Sequence, residues 1–266
     1  GTATMDTLAL IEETANNITD SADCAIGFEA AHMVLAGLQG CRDDYVYHIE
    51  HGKCSYSITQ PVPCVALCPA GVDIPGYIAL VGEERYADAV SLIRKDNPFP
   101  TACALICEHP CEARCRRNMI DSSVNIRGLK RMAVDNAPAN TVPVPPKAPS
   151  TGKRIAIAGG GPGGLSAAYY LELMGHHAVV FEQKSQLGGM LRYGIPNYRF
   201  PRERLDEDIE AILSTGVEVH TNANIGNGEN DIPLSRLRED FDAVYIAIGA
   251  HTDKKIGMEG EDAQGV

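Results

Sequence analysis

The sequence predicts two structural regions in series, a cysteine-rich helical region and an α/β region of the dinucleotide-binding type. Four cysteines recur at every fourth residue from Cys103 to Cys115. A glycine-rich turn at Gly159–Gly164 directly follows the strand-like run 153–158. Metal-ligating cysteines placed before a dinucleotide fold are typical of proteins that transfer electrons.

Composition sets the outer limits of this prediction. A chain of 266 residues allows about two domains. The formal net charge of −12 argues against a nucleic-acid surface, and no apolar run approaches the roughly 18 residues that a membrane span needs. No basic segment followed by an apolar one opens the chain, so no secretory signal is expected. We therefore expect a cytoplasmic protein without membrane insertion and, because position 1 is not Met, a piece of a longer chain.

The first 50 or so residues are predicted to form a small helical bundle. Two of its helices are expected at Phe28–Gln39 and Asp43–His51. In such a bundle Cys24 and Cys41 would be ordinary buried thiols. The first helix is marked by apolar residues at helical spacing, namely Leu8, Ile11, Ala15 and Ile18.

The segments Asp23–Gly27 and Arg42–Tyr45 resemble the C-terminal end of the NADH-oxidising flavoprotein subunit of complex I and of related hydrogenases. In that family the cysteine before the glycine is the fourth ligand of a 4Fe–4S cluster, and the other three come from an upstream segment that this sequence lacks. The resemblance therefore implies that Cys24 has lost its co-ligands. It also implies that the following regions are fused behind the end of such a subunit.

The nine cysteines are unevenly distributed, with seven between Cys54 and Cys115 and none after that. Clustering in a chain without a secretory signal favours metal ligands over disulfides. Cys64-x3-Cys68-Pro69 reproduces the end of a bacterial ferredoxin motif. The middle of the sequence is therefore predicted to hold iron–sulfur chemistry.

Geometry supports the same prediction for the later cysteines. Cys103 and Cys107 are one helical turn apart, so their sulfurs lie on one face. Pro110 then redirects the chain, and Cys111 and Cys115 approach from a second direction, as a 4Fe–4S cluster requires. One or two clusters are expected, and the predicted ligands are Cys54, Cys64, Cys68, Cys103, Cys107, Cys111 and Cys115.

Ligand partition and metal identity leave alternatives. One cluster would take Cys68, Cys107 and Cys111, with or without Cys103; the other would take Cys54, Cys64 and Cys115. Structural zinc is the rival metal, although zinc sites favour Cys-x2-Cys pairs and the spacing here is x3. Three arginines either offset the negative charge of a cluster or form a solvated helix face: Arg114, Arg116 and Arg117.

The segments around the cysteines are predicted from their patterns. Gly71–Pro75 is expected as an extended turn and Ile78–Lys95 as two short amphipathic helices. Five prolines make Pro138–Ser150 a semi-rigid linker. The expected core positions are Tyr77, Leu80, Val81, Ala89, Val90 and Ile93.

The cysteine region resembles the N-terminal iron–sulfur domain of the glutamate synthase small subunit and of dihydropyrimidine dehydrogenase. The residues that carry this resemblance are Cys64–Pro69, Ile74–Ile78, Asn97–Pro100, Cys103–Cys115 and Asn125–Arg131. Two departures matter. That family has a close cysteine pair before the Cys64 position, where this sequence has only Cys54, and dihydropyrimidine dehydrogenase has a Gln ligand where this sequence has Lys130.

The α/β region shows a complete dinucleotide-binding pattern. Gly159 allows the tight turn, Gly161 lets a pyrophosphate approach the backbone, and Gly164 lets the following helix pack on the sheet. The helix is expected at Leu165–Met174. A second strand then ends at Glu182, which is placed to accept hydrogen bonds from the adenosine ribose.

The continuation resembles the FAD-binding segments of the glutamate synthase small-subunit family, at Leu187–Pro196 and Asp242–Ala250. Arg202–Leu213 is predicted as a plain surface helix. No second glycine motif precedes Val266, so we expect an incomplete FAD domain that alone binds FAD weakly and oxidises NADPH poorly. The predicted cofactor-binding residues are Gly159, Gly161, Pro162, Gly163, Gly164, Glu182, Gly189, Met190, Arg192 and Gly249.

These patterns predict an α-helical iron–sulfur domain followed by an incomplete Rossmann-like FAD-binding domain. The expected divisions are 1–52, 53–137, the linker 138–150, and 151–266. The resemblance implies electron transfer between NAD(P)H, FAD and 4Fe–4S clusters inside a larger oxidoreductase complex, with other subunits as partners and no acid–base catalytic residue. The alternatives are a glutamate synthase NADPH small subunit and a non-catalytic assembly module of a redox complex.

Overall fold

A computed structural model of the chain describes residues 3–51, 62–250 and 255–264. The chain divides into two compact units, Gly1–Pro61 and Val62–Val266, and each is described by itself. Within the described residues, no helix combines the length and the apolar character that a membrane crossing requires.

The first unit consists of three helices, as predicted. The chain enters the first helix through a capping box between Thr4 and Thr7. Cys24 and Cys41 lie at the two ends of the second helix and are both exposed, so the expectation that they are buried thiols is wrong. The helices are α1 (Met5–Ser21), α2 (Ala25–Gly40) and α3 (Arg42–His51).

The second unit opens with a group of short helices around the cysteines. Asp73 accepts a hydrogen bond from the Gly76 backbone N–H at 3.0 Å and caps α5, so the predicted extended turn ends at this residue. Two 3₁₀ turns, Arg116–Met119 and Ala139–Thr141, complete the region. The helices are α4 (Pro63–Ala66), α5 (Ile74–Gly82), α6 (Tyr86–Asp96), α7 (Pro100–Ile106), α8 (Pro110–Ala113) and α9 (Ile126–Asn136).

One apolar core holds these helices together. Five of the six predicted core positions are buried, and Leu80 is partly buried against them. The core also takes in Val142, whose carbonyl accepts a hydrogen bond from buried Arg94 at 2.8 Å. The segment 138–150 is therefore anchored to the core at its start.

The α/β region is a parallel four-stranded sheet in the order β3-β2-β1-β4. This is the strand order of a dinucleotide-binding half-fold around its first strand. The strands are β1 (Arg154–Ala158), β2 (His177–Phe181), β3 (Glu218–His220) and β4 (Ala243–Ile246). The helices are α10 (Pro162–Leu173), α11 (Met190–Tyr193), α12 (Arg202–Leu213) and α13 (Leu234–Asp240).

The two regions of this unit share a second core. Phe99 and Ala102, at the start of α7, pack in one buried cluster with Ile157 of β1 and Leu205 and Ile212 of α12. The prediction that α12 is a plain surface helix is therefore wrong. Its apolar positions face both the sheet layer and the cysteine-bearing helix.

Candidate functional site

The six described cysteines of the central region lie on or beside four short elements. All six are unpaired thiols, while Cys54 lies outside the described residues. Cys64 and Cys68 pack against the core that contains Cys111 and Tyr77. The chain positions are Cys64 in α4, Cys68 just after it, Cys103 in α7, Cys107 at its end, Cys111 in α8 and Cys115 before the first 3₁₀ turn.

Two of the thiols accept hydrogen bonds. The Asn97 side-chain amide donates to Cys103 Sγ at 3.0 Å, and the His109 backbone N–H donates to Cys107 Sγ at 3.3 Å. Hydrogen bonds to cluster sulfurs are one means by which a protein sets a cluster's reduction potential. The sequence marks Asn97 only as part of the resembling segment Asn97–Pro100, because the contact with Cys103 depends on how α6 meets α7.

The surroundings of the thiols are apolar. Burial raises the pKa of the Cys103 and Cys111 thiols, and the positive charge of Lys130 acts in the opposite direction on both. Thiolates are the form that ligates metal. A site of this kind therefore favours the thiolate when a metal cation is bound.

The thiols have the chemistry of iron–sulfur ligands, because cysteine thiolates hold the irons of such clusters. All six described thiols of this region are unpaired; Cys111 is buried and the other five are partly buried. Two of them accept N–H hydrogen bonds. Among the described residues, no three His, Cys, Asp or Glu side chains are arranged to hold a single metal ion.

The second site is the glycine turn between β1 and α10. Gly159 has a φ of +108°, and a Cβ there would stand 2.4 Å from the Ala247 carbonyl oxygen. A Cβ on Gly164 would stand 1.9 Å from the Gly159 carbonyl oxygen. Only glycine fits these two positions, as the sequence predicted for the turn and for the helix contact.

Gly161 and Gly163 leave open space beside the turn, and a Cβ at either would make no close backbone contact. A Cβ on Gly163 would have no heavy atom within 4 Å, and one on Gly161 would meet only the Gly189 Cα at 3.6 Å. This open space lies at the amino end of α10, whose N–H groups and dipole suit a phosphate. The cradle therefore fits the pyrophosphate of a dinucleotide.

A cleft of about 590 Å³ opens over this turn. Glu182 closes one side: its carboxylate accepts from the Gly160 N–H at 2.7 Å and from the Lys184 N–H at 2.8 Å. Carboxylate oxygens have spare lone pairs, so Glu182 is able to accept ribose hydroxyls as well. The predicted residues that line the cleft are Gly159, Gly161, Pro162, Gly163, Glu182, Gly189, Met190 and Gly249.

Two predicted cofactor residues do not line the cleft. Gly164 lies beneath the turn, against Gly159. The Arg192 guanidinium is largely buried and binds the Asp206 carboxylate and the Leu187 carbonyl. Arg192 thus fixes the loop before α11 to α12 through its Nε and one terminal nitrogen.

Asp208 of α12 is a residue that sequence reasoning missed. It is fully buried, and its carboxylate accepts from the backbone N–H groups of Thr101 at 3.1 Å and Ala102 at 2.8 Å. These N–H groups are the unpaired donors of the first turn of α7, the helix that carries Cys103. Burial raises the pKa of Asp208 to about 7, although the hydrogen bonds oppose the shift.

Comparisons with known proteins identify both regions. The family described as dihydropyrimidine dehydrogenase domain II, 4Fe–4S cluster, matches residues 47–142. The family described as an NAD(P)-binding Rossmann-like domain matches residues 157–216. The chain is thus similar to an iron–sulfur domain family over residues 47–142 and to a Rossmann-like domain family over residues 157–216. This confirms the predicted fold class, a helical iron–sulfur domain before a Rossmann-like domain.

Three curated proteins are similar to the chain in sequence. The NADPH-Fe(3+) oxidoreductase subunit beta of Geobacter sulfurreducens is 38% identical over 98% of this chain and 40% of that protein. The NADP(+)-dependent formate dehydrogenase subunit beta of Moorella thermoacetica is 38% identical over 78% of this chain and 32% of that protein. The glutamate synthase [NADPH] small chain of Bacillus subtilis is 35% identical over 75% of this chain and 40% of that protein.

Coverage separates these relatives. The chain spans 40% or less of the length of each. The match to the Geobacter protein covers 98% of this chain, so it extends over most of the N-terminal residues as well as the two regions that follow. The resemblance of residues 1–52 to a complex I-type subunit stays a prediction.

Proposed function

We propose that this chain is the electron-transfer part of an NAD(P)H-dependent iron–sulfur flavoprotein that works inside a multi-subunit oxidoreductase. The observation that carries the proposal is the shared core: α7, which bears Cys103, packs on the same buried cluster as β1, which leads into the glycine turn. A cluster site and a dinucleotide site are thereby held in one compact unit.

The proposed sites are those named from the sequence. The seven cysteines from Cys54 to Cys115 hold one or two 4Fe–4S clusters, and the cleft over Gly159–Gly164 holds FAD. When bound, the flavin exchanges hydride with NAD(P)H and single electrons with the clusters. The protein contributes orientation, exclusion of water and electrostatics, so no side chain is assigned an acid–base role.

The residues around the flavin cleft have separate tasks in this proposal. The amino end of α10 binds the pyrophosphate, and Glu182 orients the adenosine ribose. Met190 and Gly249 also line the cleft. In this proposal the ranges 53–137 and 151–266 each hold one kind of cofactor. From Val62 onward, both ranges belong to one compact unit.

The printed names of the relatives support a role within a complex. All three are oxidoreductases linked to NADPH or NADP(+), and all three are named as a subunit or a small chain. We therefore propose other subunits or domains of a redox complex as partners. We further propose a cytoplasmic location, since the described cysteines are all unpaired and thiols stay reduced there.

The glutamate synthase small chain remains the second candidate. Its match covers 75% of this chain, against 98% for the Geobacter protein. The difference favours an iron(III)-linked oxidoreductase like the Geobacter protein, whose match extends over the N-terminal helical residues. Glutamine-dependent activity with an added glutamate synthase large subunit would instead support the second candidate.

Anaerobic preparation of the chain tests the central proposal. Iron, acid-labile sulfide and flavin are measured together with the visible spectrum before and after reduction. We expect broad absorbance that bleaches on reduction, with iron and sulfide in equal amounts. We also expect weak FAD retention and little NADPH oxidation by the 266-residue chain alone. Colourless protein without iron or sulfide would refute electron transfer and favour the non-catalytic assembly module.

A further inference from the structure

A buried lysine stands among the cysteines without a carboxylate partner. Lys130, on α9, is 8% exposed, and its Nζ lies 5.5 Å from the centre of the Tyr77 ring. None of the ion pairs within the described residues includes Lys130. A buried ammonium is costly unless an opposite charge compensates it.

The neighbourhood offers thiols rather than a carboxylate. Tyr77, whose ring faces Lys130, packs in the same buried cluster as Cys111, and Cys64 and Cys68 pack against that cluster. Glu112 lies in the same neighbourhood, but its carboxylate accepts from the Arg127 N–H at 2.9 Å and faces His109 Nδ1 at 3.3 Å. The segment 52–61, which lies outside the described residues, contains no Asp or Glu.

The Tyr77 ring supplies only part of the compensation. It is fully buried, its hydroxyl donates to the Ile126 carbonyl at 3.1 Å, and its face is turned to Lys130. A cation–π contact of this kind offsets only part of the cost of burying an ammonium, so a further negative charge is needed.

We propose that Lys130 is the counter-charge of an iron–sulfur cluster held by the adjacent cysteines, and that it raises the reduction potential of that cluster. This rests on the proposed cluster binding. A thiolate-ligated cluster is anionic, and it gains one more negative charge when it accepts an electron from its donor. A fixed cation nearby stabilises the reduced form more than the oxidised form. Lys130 is thus a positioning and tuning residue and takes no part in bond chemistry.

The test compares Lys130→Met with Lys130→Arg. The first keeps the apolar stem and removes the charge, whereas the second keeps the charge but gives a poor ligand for iron. The matched control is Arg131→Met, which removes a positive charge from the next position of α9, where the side chain is 61% exposed. Each variant is titrated anaerobically with dithionite and followed by electron paramagnetic resonance, with iron and sulfide measured on the same samples.

For Lys130→Met we expect unchanged iron and a lower reduction potential. The reduced-to-oxidised ratio at fixed potential should fall about tenfold, which is about 59 mV for one electron. Lys130→Arg and Arg131→Met should keep the wild-type potential. Loss of iron from Lys130→Met but not from Lys130→Arg, with the helical content of both intact, would also support charge compensation.

Two results would overturn the proposal. One is a wild-type potential in a fully loaded Lys130→Met variant. The other is equal loss of iron from Lys130→Met and Lys130→Arg, which would mean that shape or direct ligation matters and charge does not. Absence of iron and sulfide from the wild-type chain would instead refute cluster binding itself, so the two failures are distinguishable.

Discussion

The cysteine region forms its site from side chains, whereas the glycine turn forms its site from backbone. The cysteine region uses side chains: thiols, the Asn97 amide and the Lys130 ammonium are brought together by short helices. The glycine turn uses backbone, and its key feature is the lack of side chains at Gly159 and Gly164. The first site is therefore sensitive to which atoms are removed, and the second to which atoms are added.

A third set of residues joins the two sites. Asp208 of α12 holds the first turn of α7 through two hydrogen bonds. The Tyr170 hydroxyl of α10 donates to the Lys95 carbonyl at the end of α6 at 3.2 Å. Because electron transfer requires a fixed separation between cofactors, these contacts bear on function without touching either cofactor.

The largest expected effect is the loss of a cluster from Cys111→Ala. This thiol is 7% exposed and packs in the core with Cys64 and Cys68, so no water or surface group can replace it. Iron and sulfide should fall by the content of one cluster, while flavin retention should stay at the wild-type level. The exposed thiol of Cys24 offers the control, and Cys24→Ala should keep full iron. Simultaneous loss of flavin would show that the two sites do not form independently.

The reverse experiment adds one methyl group to the turn. Gly164→Ala places a Cβ 1.9 Å from the Gly159 carbonyl oxygen, a backbone clash that no rotamer relieves. Overpacking of this kind should cost about 3 kcal/mol or more and should abolish flavin retention, as thermal unfolding and flavin assays would detect.

Gly163→Ala is the matched control for stability, because a Cβ there meets no heavy atom within 4 Å. This position lies inside α10, where alanine is favoured over glycine by up to about 1 kcal/mol. Equal melting temperatures for the two variants would contradict the proposed role of Gly164 in the helix–sheet contact.

The predictability of these features follows the same division. The turn was predicted because each glycine reports a local backbone requirement. Asp208 was missed because its partners are more than 100 positions away in sequence. The pair between the Arg192 guanidinium and Asp206 likewise depends on how the following helix packs. Local geometry is thus readable from the sequence, whereas the contacts that join the regions are not.

Asp208, which connects α12 to the cysteine-bearing helix α7, should make the stability of the protein depend on pH. The pKa of Asp208 is about 7 in the folded protein, above the value near 4 of an unfolded chain. Between these values the folded state holds a proton that the unfolded state has released. Stability from this group is therefore full at low pH and is lost as the pH rises through about 7.

Asp208→Asn removes this titration. Relative to the variant, the wild type should lose about 2 kcal/mol of stability between about pH 5 and pH 7, at about 1.4 kcal/mol per pH unit while the proton is released. Thermal unfolding of both proteins across this range measures the difference. Parallel pH profiles would show that Asp208 keeps an ordinary pKa and that its burial is compensated by other groups.

The smallest expected effect concerns the contact between α10 and α6. Tyr170→Phe removes only the hydroxyl that donates to the Lys95 carbonyl, and the ring stays in its edge contact with Tyr169. Loss of one hydrogen bond of this kind should lower stability by about 1 kcal/mol, with cluster content and flavin retention unchanged. A fall in the rate of electron transfer from flavin to cluster would then report a change in their separation, because neither site has lost a contact of its own. An unchanged rate would assign that separation to α12 and its buried carboxylate.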